Sequence, residues 1–437
     1  MSRRALIIAA PMIAAIAATA LPAVASAQDF AITNATVATG DGSAPIEHGT
    51  VVVRGGKVVA AGAGVAVPAG VQSVDGTGKW VTPGLFSAVS DLGLWDVEGV
   101  PNSNDTEADK SPFNAALDVA PAINPSSEHI AVSREGGVTR ASVAPFNGDS
   151  IFAGQGALID LGTGTDLVNR PRAFQFVQLG EAGARLAGGS RVAAHVALRN
   201  ALREARDLAT TPNAARSSDA MLTRADAVAL APVLDGRQPL YVGVERAADI
   251  RSVLALKTEF PKLNLVLVGA TEGWLVAGAI AAAKVPVITM PLRDLPASFE
   301  SLAATQSNVG RMKKAGVKVA IGLFSGSNQP RYAPQQAGNL VALNKLPGAA
   351  GLTWGEAFAA ITSVPAEISG MGGKEGVLAP GAVGDVVVWD GDPLELSSAP
   401  VEVYIDGVKQ PLDNHQSRLR QRYKSLDRTY LPKAYDW

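Results

Sequence analysis

The chain has no cysteine among its 437 residues. That excludes disulfides, thiolate ligands, iron–sulfur clusters and a cysteine nucleophile. Histidine is nearly as scarce, with His48, His129, His195 and His415 making up the whole set. Charged residues are only 18% of the chain and the formal net charge is −2. With no basic block, nucleic acid is not an expected partner. Long uncharged apolar runs are missing after the first thirty residues, since VLVGATEGWLVAGAIAAAKVPVITM is interrupted by Glu272 and Lys284.

What is present begins with Met1-Ser2-Arg3-Arg4, the apolar run ALIIAAPMIAAIAATALPAVA and the small residues Ala25-Ser26-Ala27. Basic, apolar, then small is the order of an export signal. It predicts residues 1–27 as a cleaved leader, a periplasmic or secreted bacterial protein, and no membrane partner after cleavage. An uncleaved anchor is the alternative. Arg3-Arg4 leaves ordinary and twin-arginine export both open. Without disulfides, such a protein relies on its apolar core.

Residues 28–80 read as short strands: FAITNATVAT, GTVVVRGGKVVAAG with a hairpin turn at Arg54-Gly55-Gly56-Lys57, and VQSVDG. Residues 376–410 supply further strands, including Asp385–Trp389 and VEVYIDGVKQ around the turn Asp406-Gly407. Two such segments predict one small composite β-sandwich domain, with residues 81–375 inserted as a large domain. In that insert, apolar strand candidates (158–162, 239–244, 263–269, 285–289, 317–323) alternate with helical stretches such as SRVAAHVALRNALREARDLAT and FESLAATQSNVGRMKKAG. This rhythm suits a parallel sheet covered by helices, and its spacing favours a closed barrel. Residues 354–371 read as one helix or two short ones, and 411–437 as a charged tail.

Three stretches carry a family resemblance. They are Val81-Thr82-Pro83-Gly84-Leu85, the run Ala357–Gly370 with its Thr-x-x-x-Ala pattern, and the run Gly376–Pro393 with Asp385 opening a strand. In this order, over nearly the whole chain after the leader, they resemble the amidohydrolase superfamily, especially its imidazolonepropionase-like branch. The resemblance implies a TIM-like (β/α)8 barrel with a composite β-sandwich. It also implies one or two divalent ions at the C-terminal face of the barrel, activating water against an amide or cyclic amide while an Asp moves protons.

The residues depart from that chemistry. By position, Val89 and Asp91 take the places of the expected His-x-His, Gly243 and Glu245 take later histidine places, and Phe324 takes the place of the catalytic Asp. None of the four histidines pairs with another at ligand spacing, and His129 is the best placed to face a cleft. The expectation is therefore no cofactor and a degenerate centre. Oxygen ligation of a divalent ion by Asp91, Glu245 and Glu272 is the alternative. Against it, Glu245 would pair with Arg246 or Arg251, and Glu272 would cap the helix after its own strand.

Two glycine-rich stretches add little. Gly148–Gly156 reads as a turn near the cleft mouth without a phosphate-loop pattern. The loop 322–329, with the amide of Asn328, reads as a binding surface. Ser87, Ser90 and Ser325 lack a neighbouring histidine and a Gly-x-Ser-x-Gly elbow, so serine hydrolysis is not expected. Three functions follow: a degenerate amidohydrolase-like protein that binds or assembles, as a homo-oligomer or with an active relative; a hydrolase of carbon–nitrogen bonds with an oxygen-rich metal site; or a periplasmic ligand-binding barrel whose pocket is lined by Trp95, Trp274 and the 322–329 loop.

Overall fold

The computed structural model describes residues 27–97, 99–212, 218–326 and 329–424. Residues 1–26, which hold all but the last position of the expected leader, the end of the charged tail and Asn328 lie outside the described residues. The strands, in chain order, are β1 (Phe30–Val37), β2 (Ile46–Arg54), β3 (Lys57–Gly62), β4 (Gln72–Asp75), β5 (Trp80–Pro83), β6 (Leu85–Ser90), β7 (Val138–Val143) and β8 (Phe152–Asp160). They continue with β9 (Val168–Gln178), β10 (Leu240–Val244), β11 (Leu265–Gly269), β12 (Val287–Thr289), β13 (Val319–Ile321), β14 (Val386–Trp389), β15 (Pro400–Ile405) and β16 (Val408–Lys409). The helices are α1 (Glu128–Glu135), α2 (Gly180–Leu186), α3 (Arg191–Thr210), α4 (Arg224–Leu234), α5 (Ala247–Leu254), α6 (Leu256–Glu259), α7 (Ala277–Ala282), α8 (Asn308–Lys314), α9 (Ala333–Ala342), α10 (Trp354–Ala359), α11 (Ser363–Ile368) and α12 (His415–Tyr423).

Strands from the two ends of the chain share one sheet in the order β16-β15-β14-β5-β1-β2-β3, with β4 beside β1. Val386–Trp389 pairs antiparallel with Trp80–Pro83, so two of the family-like stretches are neighbouring strands. Trp389 Nε1 donates to Thr82 Oγ1 at 3.0 Å in the buried face of this pair. The hairpin turns at Arg54–Lys57 and Asp406-Gly407 stand where the sequence predicts them.

The second sheet is the barrel, in the order β13-β12-β11-β10-β9-β8-β7-β6. It is nearly closed. Leu323 N–H donates to the Ala88 carbonyl, while Ile321 and Phe86 N–H donate to the Ala360 and Ile361 carbonyls, so the link between α10 and α11 bridges the seam. Phe86, Leu158, Phe174, Tyr241, Val266 and Ile288 fill the interior, and Ala366 and Ile368 of α11 join the same cluster. The barrel is thus a packed core rather than a pore. Phe174 and Tyr241 stack at 4.2 Å between ring centres.

Three expectations need correction. The sheet is not parallel throughout, because β8 runs antiparallel to both β7 and β9. No helix separates these three strands, so a meander replaces two βα units. The stretch Gly148–Gly156 is not only a turn, since β8 starts at Phe152. The helical reading of FESLAATQSNVGRMKKAG shrinks to Asn308–Lys314, because Glu300 and Ser301 turn inward and the local backbone follows their hydrogen bonds. Residues 354–371 form the two short helices α10 and α11. Among the described residues no helix is long and apolar enough to cross a membrane.

Candidate functional site

The C-terminal ends of β6, β10, β11 and β13 form the mouth of the barrel, the end where such barrels carry chemistry. At the end of β6, Val89 adopts φ 56°, a left-handed conformation that disfavours a β-branched side chain. Its N–H donates to Ser142 Oγ at 2.8 Å, and Ser90 Oγ donates to the Ser142 carbonyl at 3.1 Å. Asp91 is buried and accepts the Gly326 N–H at 3.1 Å, tying the loop after β13 to the end of β6. Leu323 also has a left-handed backbone, φ 63°, and Phe324 packs into the core between strands and helices.

On the next strands, side chains lie across neighbouring glycines. Gln178, ending β9, donates through Nε2 to the carbonyls of Leu179 (2.9 Å) and Gly243 (3.3 Å). A Cβ built on Gly243 would overlap that carboxamide. Glu245 lies likewise against Gly269 of β11, where its carboxylate accepts the Thr271 N–H (2.9 Å) and hydroxyl (2.6 Å). The expected Arg246 pairs instead with Asp249 at 2.8 Å, and among the described residues no ion pair joins Glu245 to Arg251. Glu272 accepts the Ala247 N–H (3.0 Å) and the Ala303 N–H (3.1 Å). It therefore caps α5, the helix after β10, rather than the helix after its own strand.

A further ionic network at this end escaped sequence reading. Glu300 accepts the Glu181 N–H at 2.6 Å, and Arg191 lies 3.0 Å from Asp249 and 3.5 Å from Glu300. Burial raises the Glu300 pKa, with the Glu181 N–H opposing. No periodicity marks Glu300, since it stands in irregular chain after β12.

The candidate acids thus serve three separate hydrogen-bonded positions. Among the described residues, no three His, Asp or Glu side chains gather where they could hold a metal ion. The histidines are dispersed. His48 is exposed on β2, His129 is buried edge-on against Trp95 at 4.2 Å, and His415 opens α12. His195 on α3 sits beside Arg199, and burial and that arginine lower its pKa. The two tryptophans serve different surroundings. Trp95 is buried against His129, while Trp274 donates to the Ala303 carbonyl at 2.9 Å and lies beneath the Arg311 guanidinium.

At the opposite end of the barrel, Arg140 of β7 ties the two sheets together. It binds Asp385 through Nε (2.7 Å) and Nη2 (3.0 Å) and reaches Asp406 at 2.8 Å. Asp385 also accepts the Asp406 N–H at 2.9 Å. Glu375 is buried in the same field; burial, offset in part by Arg140 and reinforced by Asp385, pushes its pKa up to about 7.

A profile described as "Amidohydrolase family" matches residues 277–409. The amidohydrolase tasK of Hapsidospora irregularis is 47% identical over 60 residues, which cover 14% of this chain and 6% of that relative. The crystal structure of an amidohydrolase from Thermotoga maritima MSB8 superposes with TM-score 0.76 at 25% identity, covering 87% of this chain and 99% of that one. The chain carries the fold of the amidohydrolase superfamily. Molinate hydrolase (TM-score 0.53, 14% identity, 89% and 95% covered) and the triazine hydrolase from Arthobacter aurescens (0.51, 16%, 90% and 97%) share the fold alone.

The amidohydrolase fold implies a divalent ion at the mouth, and the residues there do not fit one. Val89 offers no donor atom, Gly243 offers no side chain, and the carboxylates of Glu245 and Glu272 already accept N–H groups of neighbouring loops. Recruiting them would strip buried donors of their partners, at about 1–3 kcal/mol each.

Proposed function

We propose that this chain is an exported, degenerate member of the superfamily that works by binding or assembly rather than by metal-dependent hydrolysis. The observation that carries this is the commitment of Gln178, Glu245 and Glu272 to structural hydrogen bonds across the barrel mouth. The imidazolonepropionase-like branch rests on the three sequence stretches, and export rests on residues 1–27.

Assembly with a second copy, or with an active relative, has a surface to support it. Val192 and Val196 of α3 are exposed, as are Leu295, Phe299 and Leu302. The Arg191–Glu300 contact brings these two segments together.

The test is elemental mass spectrometry of leader-free protein purified without chelators, after incubation with zinc, manganese and calcium and dialysis. The reading expects substoichiometric metal and no hydrolysis of dipeptide or cyclic amide substrates. Stoichiometric metal lost on Asp91→Asn or Glu245→Gln would overturn it in favour of an oxygen-ligated hydrolase.

A further inference from the structure

The N-terminal end of the barrel carries a cavity of about 440 Å³, far from the mouth where the superfamily's chemistry belongs. Pro239, Asn264, Pro286 and Lys318 line it from the chain just before β10, β11, β12 and β13, and the segment Glu367–Gly370 at the end of α11 closes one side. Its floor is apolar, with Val266 and Ile368, and its walls are basic.

Among the described residues, four cations line this cavity: Arg170, Arg237, Lys284 and Lys318. Glu367 is the one carboxylate in the lining among the described residues, and it pairs with Lys318 at 2.7 Å. Arg237 is held at 2.8 Å by Asp235 of its own turn. Arg170 is oriented by a hydrogen bond from Nη1 to the Ser369 carbonyl at 3.3 Å. Gly370, with φ 80°, brings the backbone close to that guanidinium, where any Cβ would crowd it.

This local surplus stands against a chain whose formal charge is −2. Like charges gathered in one concavity repel each other unless an anion enters, and a cleft of one sign concentrates counter-ions of the other.

We propose that this cavity binds a small polyanion bearing carboxylate or phosphate groups, at the end of the barrel opposite the mouth. Arg170 would supply planar, two-pronged recognition, and Lys284 and Arg237 would supply charge at the rim. The apolar floor, Val266 and Ile368, would receive a short carbon backbone. Such a site is independent of whether the mouth hydrolyses anything.

The experiment is calorimetric titration of the leader-free chain with inorganic phosphate, succinate and citrate at low ionic strength. Saturable one-to-one binding by at least one probe is expected, and the pattern among the three separates a phosphate ligand from a carboxylate ligand. Lys284→Gln and Arg237→Gln should each weaken binding about tenfold. Glu367→Gln, which removes the competing carboxylate, should strengthen it several-fold. Lys345→Gln, an exposed lysine outside the cavity, should change nothing. Thermal melts of each variant confirm that folding is unchanged, as expected for exposed side chains. No saturable binding by any probe, equal losses in Lys345→Gln, or weaker binding in Glu367→Gln would overturn the proposal.

Discussion

The carboxamide of Gln178 fills the space that any side chain on Gly243 would need, and it is held there by the carbonyls of Leu179 and Gly243. A histidine at this place would have to evict it. Gly243→His is therefore expected to lower stability by about 1–3 kcal/mol, the usual cost of overpacking a filled site. It should not create zinc retention, because Val89 and the committed Glu245 offer no companion ligands. Denaturant melts and elemental analysis of the variant check both halves. Unchanged stability together with stoichiometric zinc would show that the site is nearer to function than its hydrogen bonds indicate.

Glu272 distinguishes a structural acid from a latent metal ligand. Its two oxygens accept N–H groups from Ala247 and Ala303, so Glu272→Ala leaves two donors unsatisfied in a largely buried place. The expected loss is about 1–3 kcal/mol, with metal content unaltered. Glu272→Gln keeps one acceptor oxygen and should recover part of the loss. A metal ligand would instead show a change in bound metal and little rescue by glutamine.

Much of this architecture is legible in the sequence because it rests on local pattern. The β-branched runs around Arg54–Lys57 and Val386–Trp389 announce strands, and the order of three short stretches announces the barrel between them. What stays hidden is pairing over long separations. Nothing near Arg140 signals that it meets Asp385, 245 positions away. The opening Asp of the family-like strand reads as a motif, while its partner reads as an ordinary basic residue. The antiparallel β8 is hidden for a related reason, since an apolar run shows burial but not direction. At the mouth, residue types expose the departure from metal chemistry, but only the fold shows that Thr271 rather than an arginine satisfies Glu245.

Arg140 gives a prediction about the joint between the sheets. Its guanidinium makes two bonds to the buried Asp385 and a third contact to Asp406. Removing one partner of such a pair leaves a buried charge without compensation, at about 3–5 kcal/mol. Arg140→Met should lower stability by that order, whereas Arg140→Met with Asp385→Asn should recover a substantial part. A double-mutant cycle in urea measures the coupling. Strictly additive losses would mean that Arg140 acts through packing alone.

Glu375 makes the same joint sensitive to pH. Its folded-state pKa, about 7, lies above the ordinary 4.5, chiefly through burial. A raised value means that the folded state holds the proton more tightly than the unfolded chain does. The associated stability is fully present below about pH 4.5 and is lost as pH rises through about 7. Burial also raises Asp160 and Asp406 in the same field, so their contributions carry the same sign. The urea midpoint should therefore be lower at about pH 8 than a chain without this cluster would show, and Glu375→Gln should raise the unfolding free energy there by about 1–3 kcal/mol. At about pH 4 the variant and the parent should coincide, because the glutamic acid is then neutral in both states. A variant less stable than its parent at pH 8 would mean that the ionised carboxylate is a needed partner of Arg140, and the sign of this linkage would reverse.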